Sequence, residues 1–250
     1  MPRVSIVVPV YNEGGRIAAF LDRLFEAVTL PCEVLAVYDR PTDTTVAPLE
    51  SYRESEPRLR PVLNTYGPGP AAALHFGIDS AESGVVVVTM ADGSDDPLQI
   101  DQLALLVEGG AAVAAASRYM PGGRQLGGPW LKGAMSSLAG RSLQLLGRVG
   151  TQDATNSFKA YSRDFVLQVG IESDAGFTLG IEMVAKAKGR GLRVAEIPTV
   201  WRDRTEGTSH FRISRWLGRY LHWYLLALRP TRRRSREPHD LPYGGGAPRP

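Results

Sequence analysis

Val4-Ser5-Ile6-Val7-Val8-Pro9-Val10, followed at once by the polar Tyr11-Asn12-Glu13, decides how the chain is read. A β-branched apolar run without alternation is the pattern of a strand buried on both faces, as in parallel sheets covered by helices. The theme then repeats. Ile17, Phe20, Leu21 and Leu24 recur at helical spacing, and Glu33-Val34-Leu35-Ala36-Val37-Tyr38 forms a second apolar strand ending at Asp39. A polar loop and a helix lead to a strand near 60–63, a helix over 71–79, and Val85-Val86-Val87-Val88, the most hydrophobic strand of the chain. A helix over 98–108 and a strand over 111–116 follow. Strands alternating with helices predict βαβ units and a mostly parallel sheet, in which ligands bind beyond the C-terminal ends of the strands. The second half is less regular. Helices are expected over 130–146 and 177–188 and a strand over 192–197, with disorder beyond Pro230.

Three polar loops fall at expected strand ends: Tyr11-Asn12-Glu13, Asp39 to Asp43, and Asp92 to Asp96. The third, within Met90-Ala91-Asp92-Gly93-Ser94-Asp95-Asp96-Pro97, carries carboxylates suited to Mg²⁺ or Mn²⁺, which accept hard oxygen ligands and keep positions open for substrate phosphates. Asp92 is assigned to the metal, with Ser94 beside it, and Asp95 or Asp96 to capping the helix that starts near Leu98, with Pro97 in its first turn.

The ordered series Pro9-Val10-Tyr11-Asn12-Glu13, Asp39-x-x-x-Asp43-x-Thr45, Ala91-Asp92, Ser117-Arg118-Tyr119 with Gly122-Gly123 resembles the family-2 glycosyltransferases. It is most similar to the dolichol-phosphate mannosyltransferase and polyprenyl-phosphate glycosyltransferase branch. The likeness continues through Asp153-x-Thr155-Asn156-x-Phe158-Lys159-x-Tyr161, Gly180-Ile181-Glu182 and Arg204-x-x-Gly207-x-Ser209-His210-Phe211. It implies a GT-A-type, Rossmann-like nucleotide-sugar domain over 1–210, a metal-dependent transfer of a hexose from a GDP-mannose or UDP-glucose type donor, and inversion by direct displacement onto polyprenyl phosphate.

What the resemblance implies can be placed on residues. Pro9, Tyr11 and Glu13 would hold the nucleoside, Tyr11 against the base and Glu13 on ribose hydroxyls; Asp39 would accept from the base edge, and Val37, Ala91 and His210 complete the nucleotide-sugar set. Asp92, Arg118 and Arg204 form the catalytic group, the two arginines on phosphates, with Arg118 and Lys132 on the acceptor phosphate. If the acceptor were a hydroxyl, Asp153 or Glu182 would be the base. Tyr11 could equally be a core aromatic, Glu13 a helix N-terminal acid and Glu182 a helix-surface charge. The chain departs from the family pattern at three places: Met90 replaces the first member of the Asp-x-Asp metal motif, Tyr38 the first of an Asp pair, and His210 stands where Lys is common.

Charge and composition bound the rest. The 250 residues are 43% hydrophobic and 22% charged with a net charge of +3, ordinary for a globular protein. Between Trp201 and Arg236 lie ten Arg against only Asp203 and Glu206, which points to phosphates or an anionic surface. In 211–230, Arg212, Arg215, Arg219 and His222 occupy one side of a helix, with Ile213, Trp216, Leu217, Tyr220, Tyr224 and Leu228 on the other. Such a helix either lies in a membrane interface or packs on the catalytic domain. The residues 231–250 are expected to form a disordered tail. The lone Cys32 excludes an intrachain disulfide and a multi-thiolate metal site, and the N-terminus lacks a signal-peptide pattern. A peripheral protein on the cytoplasmic face of a membrane is expected. A catalytically silent nucleotide-sugar binder, prompted by Met90, is an alternative; a nucleic-acid binder is the weakest, since no recognition motif accompanies the charge.

Overall fold

The computed structural model describes residues 1–174, 176–203 and 213–230. Arg204, His210, the Gly207–Phe211 part of the motif series, Arg212 and the 231–250 tail lie outside the described residues.

The β-branched runs form strands because both of their faces find cover. β1 (Val4–Pro9), β2 (Cys32–Tyr38), β3 (Leu59–Leu63), β4 (Val85–Val88), β5 (Val113–Ser117), β7 (Lys159–Ser162) and β8 (Val194–Pro198) make one seven-stranded sheet. Its order is β3-β2-β1-β4-β7-β5-β8. Every pairing is parallel except the two made by β7, which runs antiparallel between β4 and β5. A short parallel pair, β6 (Arg124–Leu126) with β9 (Val200–Arg202), stands apart.

Alternate strand residues feed two cores, as the period of a strand requires. Ile6, Val8, Val34, Ala36 and Val87 face α1 (Arg16–Ala27) and α4 (Ile100–Glu108), while Val7, Leu35, Val37, Val86 and Val88 face α3 (Pro70–Asp79) and α7 (Leu179–Gly189). The remaining helices are α2 (Val46–Ser55), α5 (Trp130–Ser142, continued by a π-turn to Gly147), α6 (Arg163–Val169) and α8 (Ile213–Leu228). The amphipathic α8 packs on the domain with one face: Trp223 and Ala227 are buried, and the Tyr224 and Ser142 hydroxyls bond at 2.8 Å. Its Leu221 and Leu225 remain exposed. Among the described residues no helix is long and apolar enough to cross a membrane.

The strand order reverses between β1 and β4, because β2 lies on one side of β1 and the later strands on the other. That switch point opens a crevice at the carboxyl ends, where the polar loops are. The antiparallel β7 brings its leading turn to the same rim, since Lys159 pairs with Val88, the last residue of β4.

Close contact of α3 with β1 depends on Gly77, where a Cβ would overlap the Val7 side chain. Gly77→Ala is expected to destabilise the domain by about 1–3 kcal/mol through overpacking. A lowered urea midpoint at unchanged slope would show it.

Candidate active site

At the end of β1 the chain turns through Asn12 (φ 54°) and Gly14 (φ 56°) into α1. Asp43 fixes that turn. Its carboxylate accepts the Asn12 N–H at 3.1 and 3.0 Å and the Thr45 N–H at 2.8 Å, and Thr45 Oγ1 accepts the Glu13 N–H at 2.9 Å. Pro9 pairs in register with Val37, whose side chain is buried and whose carbonyl accepts the Val10 N–H at 2.9 Å. Tyr11, two residues beyond β1, is 61% exposed and so lies outside the core. Glu13 is partly exposed, 3.5 Å from Arg16.

Asp39, at the end of β2, is held rigidly. Asn64 Nδ2 donates to Oδ1 at 2.8 Å and the Gly69 N–H to Oδ2 at 2.7 Å. Asn64 in turn binds the Gly67 carbonyl and accepts the Tyr66 N–H. A carboxylate keeps lone pairs beyond these two, so Asp39 can still accept from a ligand.

After β4, Asp92 Oδ1 accepts the Ser94 N–H at 3.1 Å across Gly93 (φ 71°), and Ala91 is half-buried beside it. Asp96 is the helix cap, accepting the Leu98 N–H at 3.1 Å. Asp95 is not: it is buried, taking the Thr89 hydroxyl at 3.0 Å and the Met90 N–H at 3.3 Å. Burial, and then the neighbouring Asp92 charge, push it up to about 7. Met90 packs against the core. Asp92 and Ser94 are the loop's candidate cation ligands, and among the described residues no group of three His, Cys, Asp or Glu could hold one. This donor set fits an ion whose other positions are filled by diphosphate oxygens and water, the ordinary arrangement for Mg²⁺ at a nucleotide.

Arg118, just beyond β5, is the most constrained cation of the rim. Its Nε and Nη2 donate to Asp153 Oδ2 and Oδ1 at 2.7 and 2.9 Å, and its backbone N–H reaches Oδ2 at 3.0 Å. Nη2 also donates to Ser136 Oγ of α5 at 3.2 Å. The Tyr119 and Trp201 rings flank the guanidinium, with centroids 4.9 and 6.0 Å from Cζ. Only 12% of the side chain is exposed. Lys132 lies in the first turn of α5, on the helix that supplies Ser136. At Gly140 the same helix touches the Gln152 carbonyl so closely that a Cβ there would collide with it.

The two carboxylates expected as alternative bases already have partners. Asp153 is buried and accepts from Arg118, Thr155 and Asn156. Glu182 is buried rather than a surface charge, accepting the Glu172 and Ser173 N–H groups at 2.7 and 2.9 Å and Lys186 Nζ at 2.6 Å. Tyr11, Glu13, Asp39, Asp92 and Arg118 thus share one sheet edge, whereas Glu182 belongs to an internal ion pair of α7. Asn64, Gly69, Ser136 and Trp201, which fix Asp39 and Arg118, carry no pattern of their own that would single them out in sequence.

A family model described as Glycosyl transferase family 2 matches residues 5–170. Polyprenol monophosphomannose synthase of Mycolicibacterium smegmatis is 29% identical over 213 residues, covering 83% of this chain and 80% of that one. Dolichol-phosphate mannosyltransferase of Pyrococcus furiosus is 25% identical over 217 residues, 84% of this chain and 59% of that one. A solved mannosyltransferase of Pyrobaculum calidifontis, in complex with GDP-Man and Mn²⁺, shares the fold at a TM-score of 0.58 and 20% identity, over 84% of this chain and 59% of its own. The ordered motifs, the open, mostly parallel sheet with polar loops at its rim and the match over 5–170 together establish that this chain belongs to glycosyl transferase family 2.

Proposed function

We propose that the protein transfers a hexose, mannose being favoured by the curated relatives, from a nucleotide-sugar to a polyprenyl phosphate at the cytoplasmic face of a membrane. The observation that supports this reading is Arg118: Asp153 fixes its guanidinium through Nε and Nη2, which leaves Nη1 to meet a phosphate, and α5, which supports it through Ser136, turns an apolar face outward. Arg geometry suits phosphate, and the seat needs no reorganisation when the ligand arrives.

In the reaction an acceptor phosphate oxygen attacks the anomeric carbon while the bond from that carbon to the nucleoside diphosphate breaks, the leaving diphosphate keeping the electron pair. The attacking oxygen is already anionic near neutral pH, so no base is required, which agrees with the engaged state of Asp153 and Glu182. Tyr11, Glu13 and Asp39 would hold the nucleoside, with Pro9, Val37 and Ala91 shaping its floor, and Arg118 with Lys132 the acceptor phosphate. Arg204 and His210 keep the phosphate roles the family resemblance gives them. Asp92 and Ser94 would hold Mg²⁺ or Mn²⁺, which offsets the charge that develops on the diphosphate. Catalysis rests on positioning and charge offset.

Membrane contact is supported by side chains left bare on adjacent packed elements. Leu138 of α5 and Leu145 of the π-turn are 72% and 78% exposed, and Leu221 and Leu225 of α8 are about half exposed. The Arg excess between Trp201 and Arg236 suits the anionic cytoplasmic leaflet. No nucleic-acid partner is proposed.

Two measurements test this. Nucleotide release should be followed with GDP- and UDP-sugars, Mg²⁺ or Mn²⁺, and polyprenyl phosphate in detergent. Wild type should release nucleotide only with acceptor present, and Asp92→Ala should lose about 100-fold or more. Tight nucleotide binding without release from any donor would overturn the transferase reading in favour of a silent binder. In flotation, wild type should rise with vesicles containing anionic lipid, and Leu138→Asp/Leu225→Asp should stay in solution with its circular dichroism unchanged. Equal flotation of both would remove the membrane face.

A further inference from the structure

Lys159 opens β7 in the middle of the sheet, paired with Val88 on one side and Ala115 on the other, and its side chain is wholly buried. An ammonium there is costly unless its N–H groups find acceptors, and Met or Leu of similar volume would pack with a smaller desolvation penalty. The compensation is specific. Nζ donates to the Asp153 carbonyl at 3.1 Å and to the Asn156 carbonyl. These carbonyls are the two ends of the turn Asp153-Ala154-Thr155-Asn156, so one ammonium closes it.

The turn is enclosed on another side by α7. A Cβ at Gly180 would stand 2.8 Å from the Asn156 carbonyl, 3.3 Å from that of Ala154 and 3.4 Å from Lys159 Nζ. Asn156 Nδ2 also ties the turn to β5, donating to the Ala116 carbonyl at 2.8 Å. What the turn presents at the rim is the Asp153 carboxylate, and with it Arg118.

We propose that Lys159 is a positioning residue for the acceptor phosphate: it touches no substrate, and it holds the 153–156 turn so that Asp153 presents Arg118 edge-on. The inference rests on the reading that Arg118 receives that phosphate.

The charged groups around Lys159 give the clamp a pH range. Burial pushes the ammonium down to about 8, opposed by Asp153, Asp95 and Glu196 and assisted by Arg118. The other close neighbours, Val88, Ala115 and Gly180, are uncharged. Below that pH the bonds to the two carbonyls are charge-assisted; above it a neutral amine makes weaker ones. Global stability moves the other way. An unfolded lysine keeps its proton to about 10.5, so between the two values the unfolded chain binds more protons and the Lys159 contribution to stability rises with pH. Loss of acceptor affinity on the alkaline side is therefore separable from unfolding.

The test compares the full-length wild type, Lys159→Met and Lys159→Arg from about pH 6.5 to about 9.5. One readout is the KM for polyprenyl phosphate against that for the donor. The other is the Arg118 Nε–H resonance of ¹⁵N-labelled protein, assigned through Arg118→Lys. Wild type should show an acceptor KM that climbs above about pH 8, while Lys159→Arg, which does not titrate, stays flat. Lys159→Met should have an acceptor KM raised roughly tenfold or more at neutral pH, with donor KM unchanged. The Nε–H resonance should be protected in wild type at neutral pH and in Lys159→Arg throughout, and lost in Lys159→Met. Identical acceptor KM, alkaline limb and resonance in all three proteins would overturn the proposal. Should Lys159→Met fail to fold, wild type against Lys159→Arg still decides: an alkaline limb confined to wild type upholds the clamp, and a shared one defeats it. The resonance needs no turnover, so its loss in Lys159→Met alongside absent transfer would uphold Lys159 and defeat the transferase reading instead.

Discussion

The rim of this sheet is organised by a guanidinium and a carboxylate that satisfy one another before any ligand arrives. Arg118 and Asp153 meet at one end of two neighbouring antiparallel strands, one trailing β5 and the other leading into β7. Removing either alone would leave a buried charge without its partner, the costliest kind of loss. Around the pair the other constraints fall into order: Ser136 brings α5 to the site, Asn156 ties the turn to β5, and Tyr119 and Trp201 limit how the guanidinium can swing. A charge fixed in this way offers a ligand direction as well as attraction.

The same logic governs the loops after β1 and β2. Asp39 and Asp43 each commit their oxygens to backbone and amide donors of neighbouring loops, so two acidic side chains set the shape of two turns. The Asp92 loop differs. Met90 packs against the core and Asp95 is buried, bonded to the Thr89 hydroxyl and the Met90 N–H, whereas Asp92 is only partly buried.

Most of the first half was legible in the sequence because its strands are buried on both faces, which leaves unbroken β-branched runs that no other structure accommodates as well. β1, β2 and β4 fall within about two residues of their expected limits, the usual uncertainty of strand ends. β7 was not legible. Lys159-Ala160-Tyr161-Ser162 is short, opens on a charged residue and lacks an apolar run, and its strand state comes from the two neighbours it joins. The short β6 and β9 were hidden for the same reason. Tyr11, Glu13, Asp39, Asp92 and Arg118 were singled out through ordered motifs, and the structure places all five at the carboxyl ends of neighbouring strands. The roles of Asn64, Gly69, Ser136 and Trp201 arise from contacts between distant segments, which leave no periodic trace. Helix α8 carried two readings in sequence, and its two faces explain why: Trp223 and Ala227 are interior, Leu221 and Leu225 are bare.

The glycine contact between α5 and the Gln152 carbonyl has a thermodynamic corollary. With no side chain between them, helix and loop meet backbone to backbone, and the loop's next residue, Asp153, grips Arg118. If lipid holds the outer face of α5 more firmly in the arrangement that presents Arg118, then by reciprocity a phosphate seated on Arg118 must tighten the grip on lipid by the same factor. Substrate and surface would then act as each other's effectors, and the protein would dwell longest on those patches of membrane that carry its own acceptor.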